Sequence, residues 1–390
     1  MRRIRRAVTL AGLLMAGALA SAQTPSRPDP PPVFRLSVSL VQLDAVVTDR
    51  KGRHVDTLGP SDFIVLQDGR AQPVTAVAYV RSDEQFVDDT GAPLTGPPRS
   101  PRDARRVIAI VVDDLRMSFG SVYQTRRSLS RIIDELLLPD DLVGIVSTSG
   151  VRGTSWPLSF GRAELRAAAN RLRFSLQNSL SEDDALDLLA GPFDMLPSIE
   201  YAHRERVFAM AALNRISEVI DAVGELPGRK TIVLVSEGFA MYDLGRENSI
   251  VGDSMRSLVD RANRAAVVIY AVDPRGLVVT GLTAADNPMS ARQAAETAFR
   301  RSSMLQATQG GLQFVAGQTG GFAVINNNDI AGAMRRIMAD QRGYYLIGYQ
   351  PDLSTFGPGS GRLFRKLKIK VTRRGLKIRT RTGFYGVPTE

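Results

Sequence analysis

The stretch RVIAIVVDDLRMS, residues 106–118, decides how this chain is read. Six consecutive apolar residues run into Asp113 and Asp114. An unbroken apolar run suits a strand covered on both faces, as in a parallel sheet between two helix layers. Open α/β sheets hold their ligands outside the carboxyl ends of their strands. Two carboxylates at the end of such a strand therefore raise the question of a site.

The pattern continues downstream. Residues 121–138 carry Leu129, Ile132, Ile133, Leu136 and Leu137 at helical spacing, and Pro139 closes that helix. DLVGIVSTSG (141–150) reads as a second buried strand and 162–172 as a helix, whereas 174–198 is polar and irregular. A long helix over 204–223 precedes a third strand, GRKTIVLVSEGF, which ends in Ser236, Glu237 and Gly238. A helix over 255–265 precedes a fourth strand, AVVIYAVDPRG, which ends at Asp273. GLQFVAGQTGGFAVI (311–325) reads as helix, Gly-Gly turn and fifth strand, and 329–341 as a final helix. This alternation predicts a doubly wound, mostly parallel, Rossmann-like α/β domain over 105–341.

The flanks differ. Residues 1–22 combine four arginines, the apolar run AVTLAGLLMAGALA and the sequence ASA before Gln23, the pattern of a cleaved signal peptide. That run is too short to span a bilayer, so the expectation is an exported chain, periplasmic or secreted, with no transmembrane segment. Cysteine is absent, so stability must come from the core without disulfides. Residues 23–32 form a proline-rich linker. Period-two alternation in 33–82 (Leu36, Val38, Leu40, then Leu43, Ala45, Val47) and the turn Gln67-Asp68-Gly69 predict an N-terminal β module too small to stand alone. Residues 83–104 read as a linker. In the C-terminal β segment, 342–390, Leu367, Ile369 and Val371 alternate with Lys366, Lys368 and Lys370, and Arg373-Arg374-Gly375 reads as a hairpin turn. The two β segments are expected to form one sandwich-like module around the inserted α/β domain.

Net charge is +10, of which +6 would remain after loss of Arg2, Arg3, Arg5 and Arg6. Much of the remainder lies between Arg362 and Arg381, a segment without an acid. Arg365, Lys366, Lys368, Lys370, Arg373, Arg374, Lys377, Arg379 and Arg381 are read as a basic surface. Such a surface suits an anionic polymer or lipid, although lysines on a strand's outer face also guard against edge-to-edge pairing. Nucleic acid is not an expected partner of an exported chain.

The strand ends gather Asp113, Asp114, Ser147 to Ser149, Glu237 and Asp273, an oxygen-only set that suits Mg²⁺, Mn²⁺ or Ca²⁺ rather than zinc. Other chemistry is poorly represented. GELPGRKT leads into a strand, whereas a phosphate loop must leave one and open a helix. His54 and His203 stand in different segments, and neither H-E-x-x-H nor G-x-S-x-G occurs. Trp156 reads as a packing residue.

The middle of the chain resembles a von Willebrand factor type A domain. The whole of 34–387 is similar to the VWFA-related domain family found mainly in acidobacteria. The resemblance rests on VSLVQLDAVVTDRKGRHV, SDFIVLQDGRAQPVTAV, LPGRKTIVLVSEG, NRAAVVIYAVDPRGL, QTGGF, QRGYYLIGYQPD, FRKLKIKV and GLKIRTRTGFYG. It implies a metal-ion-dependent adhesion site: a D-x-S-x-S loop after the first strand, a threonine from a second loop and an aspartate from a third. Here Asp114 and Ser118 match, Arg116 replaces the middle serine, and Glu237 stands at the third-loop acid. The threonine has no clear counterpart, and Ser179, Ser181 and Asp183 are candidates.

The ligand set carried over is therefore Asp113, Asp114, Ser118 and Glu237, a degenerate site. Arg116 either pairs with Asp113 or Glu237 and fills it, or turns to solvent and leaves Asp113 as a replacement ligand. The expected function is a non-enzymatic module that binds a protein or envelope ligand through the top of its sheet. The alternatives are a metal-assisted envelope hydrolase, and a structural component held on an anionic surface by its basic segment.

Overall fold

The computed structural model describes residues 41–81, 100–101, 104–150, 157–174, 196–243, 246–247, 249–283, 286, 290–352, 355 and 364–385. Residues 1–32, all of 83–104 but 100, 101 and 104, the expected strand residues Leu36, Val38 and Leu40, Trp156 and the candidates Ser179, Ser181 and Asp183 lie outside them.

The N-terminal β segment contributes β1 (Val41–Thr48), β2 (Phe63–Gln67), β3 (Arg70–Gln72) and β4 (Val74–Arg81). The α/β segment follows. It runs β5 (Arg106–Val112), α1 (Phe119–Glu135), β6 (Asp141–Ser147), α2 (Arg162–Arg171), α3 (Leu196–Gly224) and β7 (Arg229–Val235). After a two-residue ladder of β8 (Tyr242–Asp243) and β9 (Arg246–Glu247) come α4 (Ser249–Arg264), β10 (Val267–Val272), α5 (Ala291–Gln318), β11 (Ala323–Val324) and α6 (Ile330–Asp340). The last segment holds β12 (Gly343–Tyr349), β13 (Phe364–Val371), β14 (Lys377–Thr380) and β15 (Gly383–Tyr385).

Every residue of β5 is buried, as its unbroken apolar run requires. Val107, Ala109 and Val111 face a core shared with α3, α4 and α5, while Ile108, Ile110 and Val112 face a second core shared with α1, α2 and α6. The parallel sheet has the order β11-β10-β7-β5-β6. Strand order reverses between β5 and β7, so their carboxyl ends flank the crevice where doubly wound sheets bind ligands. At the outer edge, Val143 of β6 exchanges backbone hydrogen bonds with Ser159 in an antiparallel bridge.

The two β segments form one sandwich. Its sheets are β14-β1-β12-β4 and β15-β13-β2-β3. Leu43, Ala45, Val47, Tyr345, Ile347 and Tyr349 from the first sheet meet Phe63, Val65, Leu367 and Ile369 from the second. The buried phenols are satisfied: Tyr345 donates to the Val55 carbonyl at 2.8 Å and Tyr349 to Gln67 Oε1 at 2.8 Å. The Gln67-Asp68-Gly69 turn forms, with Asp68 and Gly69 both at positive φ as a two-residue hairpin loop demands.

Two C-terminal expectations need correction. Arg373-Arg374-Gly375 is not a hairpin turn. The turn carries the chain from β13, paired with β2 and β15, into the opposite sheet, where β14 pairs with β1. Nor do all nine basic residues lie on one open surface. Lys366, Lys368, Lys370, Arg373, Arg374 and Lys377 are exposed. Arg365 lies beside Asp68 at 3.5 Å, and Arg373 pairs with Asp62 at 3.0 Å. Arg379 and Arg381 turn inward to the α/β domain. Arg379 pairs with Asp340 of α6 and stacks on Phe322, while Arg381 donates to the carbonyls of Asn263 and Gln42, both at 2.8 Å. The physical reason is that the β14-β1 sheet has no solvent face here: its second side rests on the α/β domain. Gly320 lets that approach happen, since it stands at φ 89 with Arg381 N 3.1 Å from where a Cβ would be.

Among the described residues, no helix is long and apolar enough to cross a membrane.

Candidate functional site at the carboxyl ends of the strands

Asp113 and Asp114 follow β5 directly and are buried to within a per cent of completely. Asp113 Oδ2 accepts from Ser236 Oγ at 2.7 Å and Oδ1 from Thr148 Oγ1 at 3.0 Å. Asp114 Oδ2 accepts from Ser147 Oγ at 2.6 Å and Ser149 Oγ at 2.7 Å, and its Oδ1 from Ser149 N at 2.9 Å and Thr148 Oγ1 at 3.3 Å. Three strands thus close on one another through their ends: β5 supplies the acceptors, β6 and β7 the donors. Burial, which disfavours charge, pushes the Asp113 carboxyl up to about 6, against the opposing pull of Arg116 and the Ser236 and Thr148 hydroxyls.

Ser118 and Glu237 face each other, but in a helix cap. Ser118 is the N-cap of α1 and accepts from Ser121 N at 3.3 Å, while Glu237 Oε1 accepts from Ser118 N at 2.8 Å. The acid at the helix start also suits the dipole of α1.

Arg116 reaches across to α3, and its positive charge also acts on Asp113. Its guanidinium pairs with Glu205 of α3 at 2.7 Å, donates to the Gly238 carbonyl and lies 5.1 Å from the Phe239 ring centroid. Gly238 makes the loop possible: at φ 94 a Cβ would run into the Thr308 carbonyl of α5. Asp273 belongs to a separate network, held by Arg275 Nε and Nη2, both at 2.9 Å, and by Gln309 Nε2 at 3.0 Å. Neither histidine joins these groups: His54 Nε2 contacts the Ala339 carbonyl at 3.0 Å, and His203 is exposed.

A hard divalent cation takes about six oxygen ligands, each offering a free lone pair toward one centre. Here Asp114 accepts two donors on each oxygen and has no lone pair left, Ser118 and Glu237 cap α1, and the positive charge of Arg116 acts on Asp113. As arranged, these residues do not fit a divalent cation. Among the described residues no group of three or more His, Asp or Glu is placed to hold one.

No family model and no curated protein matches the chain. Solved structures give only distant likenesses. An aerotolerance-related membrane protein from Bacteroides fragilis is 12% identical, with 60% of this chain and 98% of that chain covered at a TM-score of 0.34. The conserved hypothetical protein BatB from Bacteroides thetaiotaomicron is 14% identical, covering 61% and 98% at 0.30. The human COPII-coat protein Sec24c is 9% identical, covering 74% and 44% at 0.31. At such scores the likeness carries no inference about site or activity.

Large apolar side chains are exposed on the segments that follow these strand ends. Phe119 at the start of α1 is 67% exposed and Tyr123, one turn on, is 59% exposed. Leu277, Val278, Val279 and Leu282 follow β10, and Phe299 and Met304 lie on the N-terminal half of α5; Val279 and Phe299 are each 71% exposed. The Arg301 guanidinium joins the two groups, donating to the Gly281 carbonyl at 3.2 Å and pairing with Asp286 at 2.7 Å. Composition alone gave no sign of this face, because an exposed aromatic and a core aromatic look the same in a sequence.

Proposed function

We propose that this chain is a non-enzymatic binding module of the von Willebrand type A kind. It would act in the cell envelope, work without a resident metal ion and recognise a protein partner through the carboxyl-end face of its sheet. The apolar rim carries the reading. Soluble proteins seldom leave large apolar side chains together in the open unless a partner covers them, and aromatic anchors dominate protein interfaces. The carboxylates hold the loops that present this rim. A hydrolase would need a general base or a metal-bound water with free coordination, and the strand-end acids are committed to other bonds.

The test uses the full chain with a photo-crosslinking side chain at position 119 or 279, and at position 368 as control, in envelope extract from the source organism. The reading expects one discrete adduct from 119 and 279, absent at 368 and competed by excess unlabelled protein. Equal labelling at all three positions contradicts it. Turnover of an envelope substrate, lost in Asp114→Ala, would favour the hydrolase instead.

The outer face of β13 supports a second reading, attachment to an anionic polymer. Lys366, Lys368 and Lys370 project there while Leu367 and Ile369 are buried. Retention on an anionic matrix, abolished by neutralising these three lysines, is its test.

A further inference from the structure

A cleft of about 340 Å³ lies at the seam between the β sandwich and the α/β domain. It is distant in topology from the site above, because it opens at the amino-terminal ends of β7 and β10. Gln42, Asp44 and Val46 of β1 form one wall with Arg379 and Arg381. Arg229, Asn263, Arg264, Val267 and Val268 belong to the facing wall.

Its charges do not balance internally. The Arg229 side chain is 5% exposed, lies with its guanidinium 4.3 Å from the Tyr344 ring centroid and makes no hydrogen bond to a described residue; Nε and Nη1 are buried without an acceptor. The Nε groups of Arg379 and Arg381 are also buried without acceptors. Asp340 neutralises Arg379, and the one carboxylate in the lining is Asp44. Asp44 faces Arg229, Arg264 and Arg381 from the β1 side, with Lys230 near it. Burial nevertheless raises its pKa, so it is a weak counter-ion. A buried guanidinium without an acceptor is costly, and an anion drawn into the cleft would offset that cost.

We propose that this cleft binds a small organic phosphate, with the phosphoryl oxygens on Arg229, Arg264 and Arg381 and the organic part along the β1 wall at Val46. Three arginines against one carboxylate leave an excess that a dianion matches. Guanidinium groups suit phosphate because they bind it in a bidentate fork. The volume is at the lower end of small-molecule pockets and exceeds what a bare oxyanion needs. The site is separate from the apolar face of the proposed function and stands or falls without it.

Thermal unfolding and calorimetry of the full chain test this with glycerol 3-phosphate, inorganic phosphate, glycerol and sodium chloride at matched ionic strength. Glycerol 3-phosphate is expected to raise the melting temperature and to titrate to one site. Glycerol and chloride should do neither. Arg264→Ala, on the exposed lip, is expected to weaken binding about tenfold or more, the worth of one charged hydrogen bond. Arg229→Met is expected to abolish binding while leaving the ligand-free protein at least as stable, which a purely structural arginine would not do. Inorganic phosphate binding as tightly as the ester would keep the anion site and overturn its organic part. Stabilisation by chloride equal to that by phosphate, or unchanged binding in both variants, overturns the proposal.

Discussion

The two ends of the parallel sheet carry opposite charge and opposite accounting. At the carboxyl ends, two buried aspartates are surrounded by hydroxyl and amide donors, and no oxygen of either is left over. At the amino ends, buried guanidinium groups keep N–H donors that no described residue accepts. A count of charged residues would nominate the first as the site, as the sequence does. Unmet donors occur at both ends, Arg116 Nε among them at the first, but only at the second does a guanidinium, that of Arg229, lack an acceptor on two of its nitrogens. A cluster that satisfies itself is a structural joint, whereas one that does not is open to a ligand.

The largest expected effect lies at the acid end. Asp114→Ala removes the acceptor for half-buried Ser147 and exposed Ser149, while Thr148 keeps Asp113, a loss of about 3 kcal/mol by denaturant unfolding, equal with and without Mg²⁺. A small effect that grows only when Mg²⁺ is present would turn the joint back into a metal site.

Asp113 offers a pH test. Its folded pKa of about 6 exceeds the unfolded value of 3.8, so the native state holds the proton more tightly. Its contribution to stability is therefore fully present below about 4 and is lost as pH rises through about 6, a change of roughly 3 kcal/mol at most. Asp113→Asn does not titrate. The stability difference between wild type and this variant should shift against wild type between pH 4 and pH 6, then stay level. A difference independent of pH would show that the carboxyl is ionised throughout.

At the basic end, Arg379→Ala leaves the buried Asp340 with only the Tyr270 hydroxyl, at 2.6 Å, from its present side-chain partners. About 2 kcal/mol of destabilisation is expected. A change within about 0.5 kcal/mol, the range of ordinary surface substitutions, would return Arg379 to the surface.

The sequence resolves these ends unequally. The β5 run declares a doubly covered strand because all six of its apolar residues, 107–112, need burial, and the alternation with helices implies a mostly parallel sheet, though not its strand order. The alternation in β1 and β14 shows which residues share a face. It cannot show whether the polar face meets water or another domain, and so Arg379 and Arg381 read as surface. The identical period of β13 and β14 likewise hides that they lie in different sheets. Arg116 finds Glu205 across 89 residues of chain, a pairing that no local pattern encodes. The first half of α5 is not legible because it carries no continuous apolar stripe; its Phe299 and Met304 are exposed.

The central claim is that the strand-end carboxylates form a closed joint and not an ion site. A crystal of the full chain soaked in Mn²⁺ and measured at the manganese absorption edge tests it directly. The account predicts no anomalous peak within coordination distance of Asp113, Asp114, Ser118 or Glu237, with Arg116 still on Glu205. A peak among those four side chains, with Arg116 displaced from Glu205, would contradict it.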